Sequence, residues 1–267
     1  MNTDNRLQRF KILSGSALKM VAVVTMLIDH LGLYLWRVDP DMWEPLFTIG
    51  HHTLTPYLLL RSIGRLAFPI FAFLIVEGYQ HTRDRWRYGR NLLVFALLSE
   101  LPWNLVHTGT WHYSHQNVFF TLFLGYLGIC VIEHYRTYWS RYVLSLLALL
   151  AASVLLRADY GASGFGFILL VYLLRDSRLL QAIIGSCTLP NGLVAGMAFI
   201  PINMYNGRRG FIQGPVLKYA FYAFYPLHLL IIDLYTSAWY RWSACCYFPL
   251  RYSVGVTPKR LRKAWLK

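Results

Sequence analysis

The stretch LKMVAVVTMLIDH, residues 18–30, is apolar enough to lie in lipid, yet it carries Lys19 at one end and Asp29 beside His30 at the other. Ionisable side chains are expensive inside a hydrocarbon layer, and they are found there paired with one another or at functional sites. At 3.6 residues per turn, the eleven-residue step from Lys19 to His30 is close to three turns. Lys19, Val23, Met26 and His30 therefore fall on one stripe, its polar ends about 16 Å apart along the axis. Such a stripe is expected to face other helices, not lipid.

The rest of the chain has the composition of a multi-pass membrane protein. Of 267 residues, 56% are hydrophobic and 16% aromatic, and only 14% are Asp, Glu, Lys or Arg, against about 25% charged in a soluble domain. The formal net charge of +14 does not mark a nucleic-acid binder, because the basic residues cluster between apolar runs and form no face on a polar domain. The bias that keeps positive loops on the cytoplasmic side accounts for them. Cys130, Cys187, Cys245 and Cys246 fit neither a zinc spacing nor a paired disulfide framework. Arg6, Arg9 and Lys11 precede the first apolar run, but no small-residue cleavage site follows, so the run reads as an uncleaved first span.

The sequence thus predicts an all-α, polytopic bundle of about eight membrane helices, with a range of seven to ten. The expected spans are 16–36, 57–79, 90–107, 117–135, 141–157, 161–175, 179–200 and 217–238. One domain covers 1–240, and 241–267 reads as a basic, aromatic interfacial tail. The segments HTRDRWRYGR (81–90), HYRTYWSR (134–141), RDSR (175–178) and KRLRKAWLK (259–267) are basic, whereas WHYSHQ (111–116) has no Lys or Arg. An N-in, C-in topology puts all the basic segments inside. Only NMYNGRRG (203–210) dissents, landing outside with Arg208 and Arg209.

The second span, TPYLLLRSIGRLAFPIFAFLIVEGY (55–79), runs back against the first. An antiparallel hairpin sets Arg65, one turn from Arg61, level with Asp29 and His30, and Glu77 level with Lys19, where opposite charges offset part of the desolvation cost. Pro69 is expected to kink this span and free a carbonyl. Further polar groups in apolar surroundings are Glu100, Asn117 at the start of the fourth span, Asp159 in the turn after the fifth, and His228 in the last. His30, Arg65, Asn117 and Asp159 all belong to the outer half, which makes them a candidate site. Glu77 with His81, and His112 with His115, have metal-ligand spacing but no evident third ligand, so no metal is expected.

In order and spacing, SGSALKMVAVVTMLIDH, IGRLAFPIFAFLIVEGYQHT, SELPWNL, NVFFTLFLG, ADYGASG, YNGRRG and KYAFYAFYPLHLLII resemble the TraX family over most of residues 14–235. The family's namesake N-acetylates pilin, and the family resembles the multi-pass acyltransferases that acetylate sugars. Those enzymes carry an Arg followed by a catalytic His in the first helix, and the matching positions here are Lys19 and His30. Lysine keeps the charge but lacks the bidentate fork of arginine. The resemblance implies acetyl-CoA as cosubstrate, an envelope acceptor with an amine or hydroxyl, and the bacterial inner membrane as location. It implies His30 as general base, oriented by Asp29 or a nearby carboxylate, with Arg65 or Asn117 on the oxyanion and Asp159 in the same cluster. Lys19, Arg208 and Arg209 are implied as holders of the CoA phosphates, and Arg61, Glu77, Tyr205, Asn206 and His228 as further groups along the cosubstrate's path.

Two other readings stay open on the residues alone. A proton-coupled transporter or flippase would use Asp29 and His30 as a relay and Lys19 with Glu77 as an inner gate, although the internal repeats frequent in transporters are missing from the sequence. A non-catalytic assembly protein would tolerate substitution of His30. Besides acetyl-CoA and the acceptor, membrane lipids are the expected partners, and nucleic acid is not.

Overall fold

The computed structural model describes residues 10–35, 39–49, 52–189 and 192–246. Its first helix, α1 (Gly15–Leu35), contains the charged stretch, and its stripe faces inward as the periodicity requires: Val23, Met26 and His30 are all buried. After α1 the chain makes a short 3₁₀ turn at Pro40–Trp43 and an antiparallel ribbon of β1 (Phe47–Ile49) with β2 (His52–Leu54). The ribbon departs from the expected all-α fold. Its Thr48 and Thr53 side chains pair across the strands, 3.2 Å apart.

The second expected span is two helices, α2 (Pro56–Gly64) and α3 (Ala67–His81). Thr55 caps α2, its hydroxyl accepting from the Leu58 N–H at 3.2 Å, and Pro56 occupies the first turn, where its missing N–H costs nothing. Pro69 acts three residues later than the break between Gly64 and Ala67. It falls in the first turn of α3, so the carbonyl it leaves without an intrahelical partner is that of Arg65. Close packing against α1 needs small residues here. A Cβ on Gly32 would meet the Leu60 side chain at 2.7 Å, and one on Gly64 would fall on the Asp29 carboxylate.

The chain continues through α4 (Arg85–Thr108), α5 (Val118–His134), α6 (Trp139–Leu155) and α7 (Gly161–Leu173). These helices run back and forth between two ends of the bundle around a core that includes Phe73, Tyr126, Ile129, Phe167 and Ile168. The expected span 179–200 is broken instead into α8 (Arg178–Thr188), α9 (Gly192–Gly196) and α10 (Phe199–Asn203). Both ends of this segment return to Glu77. Arg178 bonds the Glu77 carboxylate at 3.5 Å, and Tyr205 lines a hollow together with Glu77 and Arg178. The segment enters the bundle and leaves at the end it came from.

That turn-back relocates YNGRRG. Leu13 pairs with Tyr205 in a parallel bridge, the Asn206 N–H donates to the Leu13 carbonyl at 2.9 Å, and the Gly15 N–H donates to the Arg208 carbonyl at 2.8 Å. Arg208 and Arg209 therefore lie at the N-terminal end of α1, not at the opposite end, and the exception to the charge bias disappears.

The last helix, α11 (Gly214–Cys246), starts beside the same end and runs parallel to α1, so that Lys19 lies over Phe221 at 5.5 Å and His30 meets His228. The final turns of α11 consequently lie at the end opposite Gly15, and the C-terminus, expected on the N-terminal side, lies outside the described residues. The helix also takes in residues 241–246 of the expected tail, and the remainder of that tail lies outside the described residues. Among the described residues, three stretches of helix suffice by length and composition to cross a membrane: Gly15–Leu35, Pro56–His81 and Gly214–Trp239. Shorter apolar helices make up much of the rest.

Candidate functional site

His30 is buried against α11. Its Nδ1 lies 2.6 Å from His228 Nε2, with the ring centroids 4.9 Å apart and both side chains less than a tenth exposed. The other nitrogen of His228, Nδ1, is 2.8 Å from the Phe224 carbonyl one turn back. A carbonyl only accepts, so His228 Nδ1 carries the proton and His228 Nε2 is a lone pair. With both imidazoles neutral, His30 donates from Nδ1 and its Nε2 is the remaining lone pair of the two rings. Tyr34 and Tyr225 flank it, ring centroids 6.2 and 6.0 Å away, and the Tyr34 hydroxyl lies 3.1 Å from His107 Nε2. His228, expected among the cosubstrate groups, lies in direct contact with His30.

Asp29 does not orient His30. Successive helical residues point about 100° apart, and Asp29 faces α2, where it forms an ion pair with Arg61. Its partner is thus the arginine one turn before Arg65. Arg65 reaches the Tyr160 hydroxyl and acts electrostatically on Asp159. Asp159 sits in the turn between α6 and α7. Burial, working against the Tyr160 N–H bond and the arginine charges, pushes its carboxyl up to about 6. Asn117 caps α5 and is fully buried. Its side-chain amide donates to the Ala96 carbonyl at 2.8 Å and to Glu100, and its oxygen accepts from the Phe119 N–H at 3.0 Å. With both amide hydrogens spent, Asn117 is a structural cap and has none left for an oxyanion. Of the expected outer-half cluster of His30, Arg65, Asn117 and Asp159, Arg65 and Asp159 come together with Asp29 and Arg61, His30 lies against His228, and Asn117 caps α5.

A cavity of about 730 Å³ opens between α1, α3, α4 and α11. Lys19, Arg83, Arg209 and Lys218 line its outer part, Val23, Met26, Phe71 and Leu122 its middle, and Phe119 and Tyr225 its inner end beside His30. Glu77, His81 and Tyr205 are also on its wall. Lys19 and Glu77 share this space without the direct pairing expected of them, since Glu77 bonds Arg178 at 3.5 Å and faces His81 at 3.7 Å. Asn206 lines the adjoining hollow of about 310 Å³. The side chain of Arg208 lines neither space, so of the two arginines only Arg209 reaches the cavity. Among the described residues no three His, Cys, Asp or Glu side chains gather as metal ligands. The residues that sequence reasoning left out of the site are Arg83, Lys218 and Tyr225. The basic clusters held the first two, and the third stands next to Pro226 in KYAFYAFYPLH.

Apolar helices of this kind, with polar groups turned to the interior and a cavity cationic at one end, define a helical membrane protein. The family model for "TraX protein" matches residues 14–235, and the chain belongs to the TraX family. It is 26% identical over 249 residues, 82% of this chain and 94% of the other, to a protein of Dichelobacter nodosus named "Probable fimbrial assembly protein FimC, serogroup H1". It is also 26% identical over 120 residues, 45% of this chain and 36% of the other, to the uncharacterized protein RP591 of Rickettsia prowazekii (strain Madrid E). No solved structure matches the chain.

Proposed function

We propose that this protein is an integral membrane acetyltransferase that moves an acetyl group from acetyl-CoA to an amine or hydroxyl of a cell-envelope acceptor. The observation that carries the reading is a space cationic at one end and apolar within, whose lining residue Tyr225 lies 6.0 Å ring to ring from His30, an imidazole with its Nδ1 2.6 Å from His228. Lys19, Arg83, Arg209 and Lys218 suit the phosphates of CoA. The apolar middle suits the pantetheine arm, which must cover the roughly 16 Å between the levels of Lys19 and His30. The acceptor's N–H or O–H gives its proton to His30 Nε2 as it attacks the thioester carbon. The tetrahedral intermediate then expels the CoA thiolate, which takes that proton back.

On this reading the bundle crosses the bacterial inner membrane seven times, with α8 to α10 re-entering from the cytoplasmic side, where the N-terminus and the cavity mouth lie. Cytoplasmic acetyl-CoA then enters directly from its own compartment. The name of the Dichelobacter relative makes a fimbrial subunit the first acceptor to try.

The test is CoA release from acetyl-CoA by the purified protein in nanodiscs. Wild type is expected to turn over slowly, and His30→Ala is expected to fall to background while still binding acetyl-CoA. Wild type that neither binds nor cleaves the thioester would sink the reading and favour a proton-coupled transporter.

A further inference from the structure

The buried hydroxyl of Tyr225 donates its hydrogen to no group among the described residues, although the residue is only 3% exposed. A hydroxyl hydrogen taken out of water without an acceptor costs on the order of 1–3 kcal/mol. Folds rarely keep one without a use for it. Phenylalanine would give the same packing against Phe119, whose ring centroid is 5.3 Å away, without that cost. The position of the tyrosine is as unusual as its unspent hydrogen. Tyr225 closes the inner end of the cavity, its ring 6.0 Å from His30 and 5.6 Å from His228. Its oxygen accepts from the Val118 backbone N–H, and the charges of Asp159 and Glu100 act on it. The O–H hydrogen is left unspent on a side chain that lines the cavity.

We infer that Tyr225 is the oxyanion donor of the acyl transfer: its O–H hydrogen-bonds the thioester carbonyl oxygen of the acetyl donor. The inference rests on the acetyltransferase reading. In the step, the acceptor heteroatom forms its bond to the carbonyl carbon, its proton passes to His30 Nε2, and the carbonyl π electrons move onto the oxygen held by Tyr225. Collapse of the intermediate returns those electrons, breaks the carbon–sulfur bond and sends the proton from His30 to the departing sulfur. Asn117, the donor expected from the sequence, has no hydrogen to offer, and Arg65 is directed at Tyr160. Tyr225 fills the vacant role.

The test compares wild type with Tyr225→Phe in nanodiscs by three readings: thermal melting, acetyl-CoA hydrolysis, and the infrared carbonyl band of bound acetyl-CoA labelled with ¹³C at the thioester carbon. Tyr225→Phe is expected to melt at the wild-type temperature or above, since it removes an unspent donor. Its kcat should fall by about 10- to 100-fold with little change in KM. The carbonyl band should be downshifted in the wild-type complex relative to free acetyl-CoA, and the downshift should be lost in the variant. An unchanged band and unchanged turnover would overturn the role of Tyr225 and leave acyl transfer standing. A lower melting temperature would make the hydroxyl a packing element and overturn it as well. Wild type that neither binds nor hydrolyses acetyl-CoA would remove the acetyltransferase reading, and this inference with it.

Discussion

The two histidines show what a single residue contributes when its neighbour fixes its protons. His228 acts through His30 by presenting a lone pair to His30 Nδ1, because its own proton is committed to the Phe224 carbonyl. On the proposed acetyltransferase function it is a positioning residue. Replacing it by Phe keeps a stacked ring but removes the acceptor, so the His30 tautomer is no longer held. The kcat for acetyl-CoA hydrolysis is expected to drop about 100-fold, in the range of lost base–orienter contacts. Glutamine at the same position keeps an oxygen able to accept from Nδ1, and His228→Gln should recover much of the loss. Equal defects in the two variants would show that ring packing is what matters. From the sequence, the step between Lys19 and His30 was legible because it lies within one helix. The contact that defines the base joins residues 198 apart and leaves no local trace.

At the scale of elements, the charged hairpin was readable and the broken span was not. Asp29 and the arginines of α2 had to meet because each is too costly alone among apolar helices. The sequence could not say which of Arg61 and Arg65 would do it, since they share a face one turn apart. The closeness of that hairpin sets its tolerance. A methyl at Gly64 would strike an Asp29 side chain already held by Arg61. Gly64→Ala is therefore expected to lower stability by about 1–3 kcal/mol, the usual cost of overpacking. Gly166→Ala, where a Cβ meets nothing within 4 Å, should stay within about 0.5 kcal/mol of wild type or gain slightly. Denaturation of both variants in the same detergent checks the pair. The segment 179–200 was unreadable for a different reason. Its apolar length equals that of a span, and the breaks after Thr188 and Gly196 depend on packing of Gly192 and Gly196 against Ser186, which hydropathy does not register.

For the whole molecule, the same misreading carried a consequence for sidedness. Counting 179–200 as a crossing put Arg208 and Arg209 on the wrong end, while the backbone pairing of YNGRRG with residues 12–16 puts them with the N-terminus. On a cysteine-free background, Lys11→Cys and Arg208→Cys are expected to react with a membrane-impermeant thiol reagent from one side, and Trp111→Cys from the other. Arg208→Cys reacting together with Trp111→Cys would rule out the re-entrant segment. Membrane character and the helical class were plain from composition alone. The direction of the last helix was not, because the basic tail argues for one end and the parallel packing of α11 on α1 for the other.

That parallel packing also sets a clock. One histidine is made among the first residues of the chain and its partner 198 residues later. At about 5–20 residues per second, translation separates them by roughly 10–40 s. Throughout that interval α1 is in the membrane with a histidine whose tautomer nothing holds. On the proposed acetyltransferase function, the protein is born inactive and becomes competent only when α11 docks in register. A chain truncated before α11, however well its earlier helices assemble, stays silent.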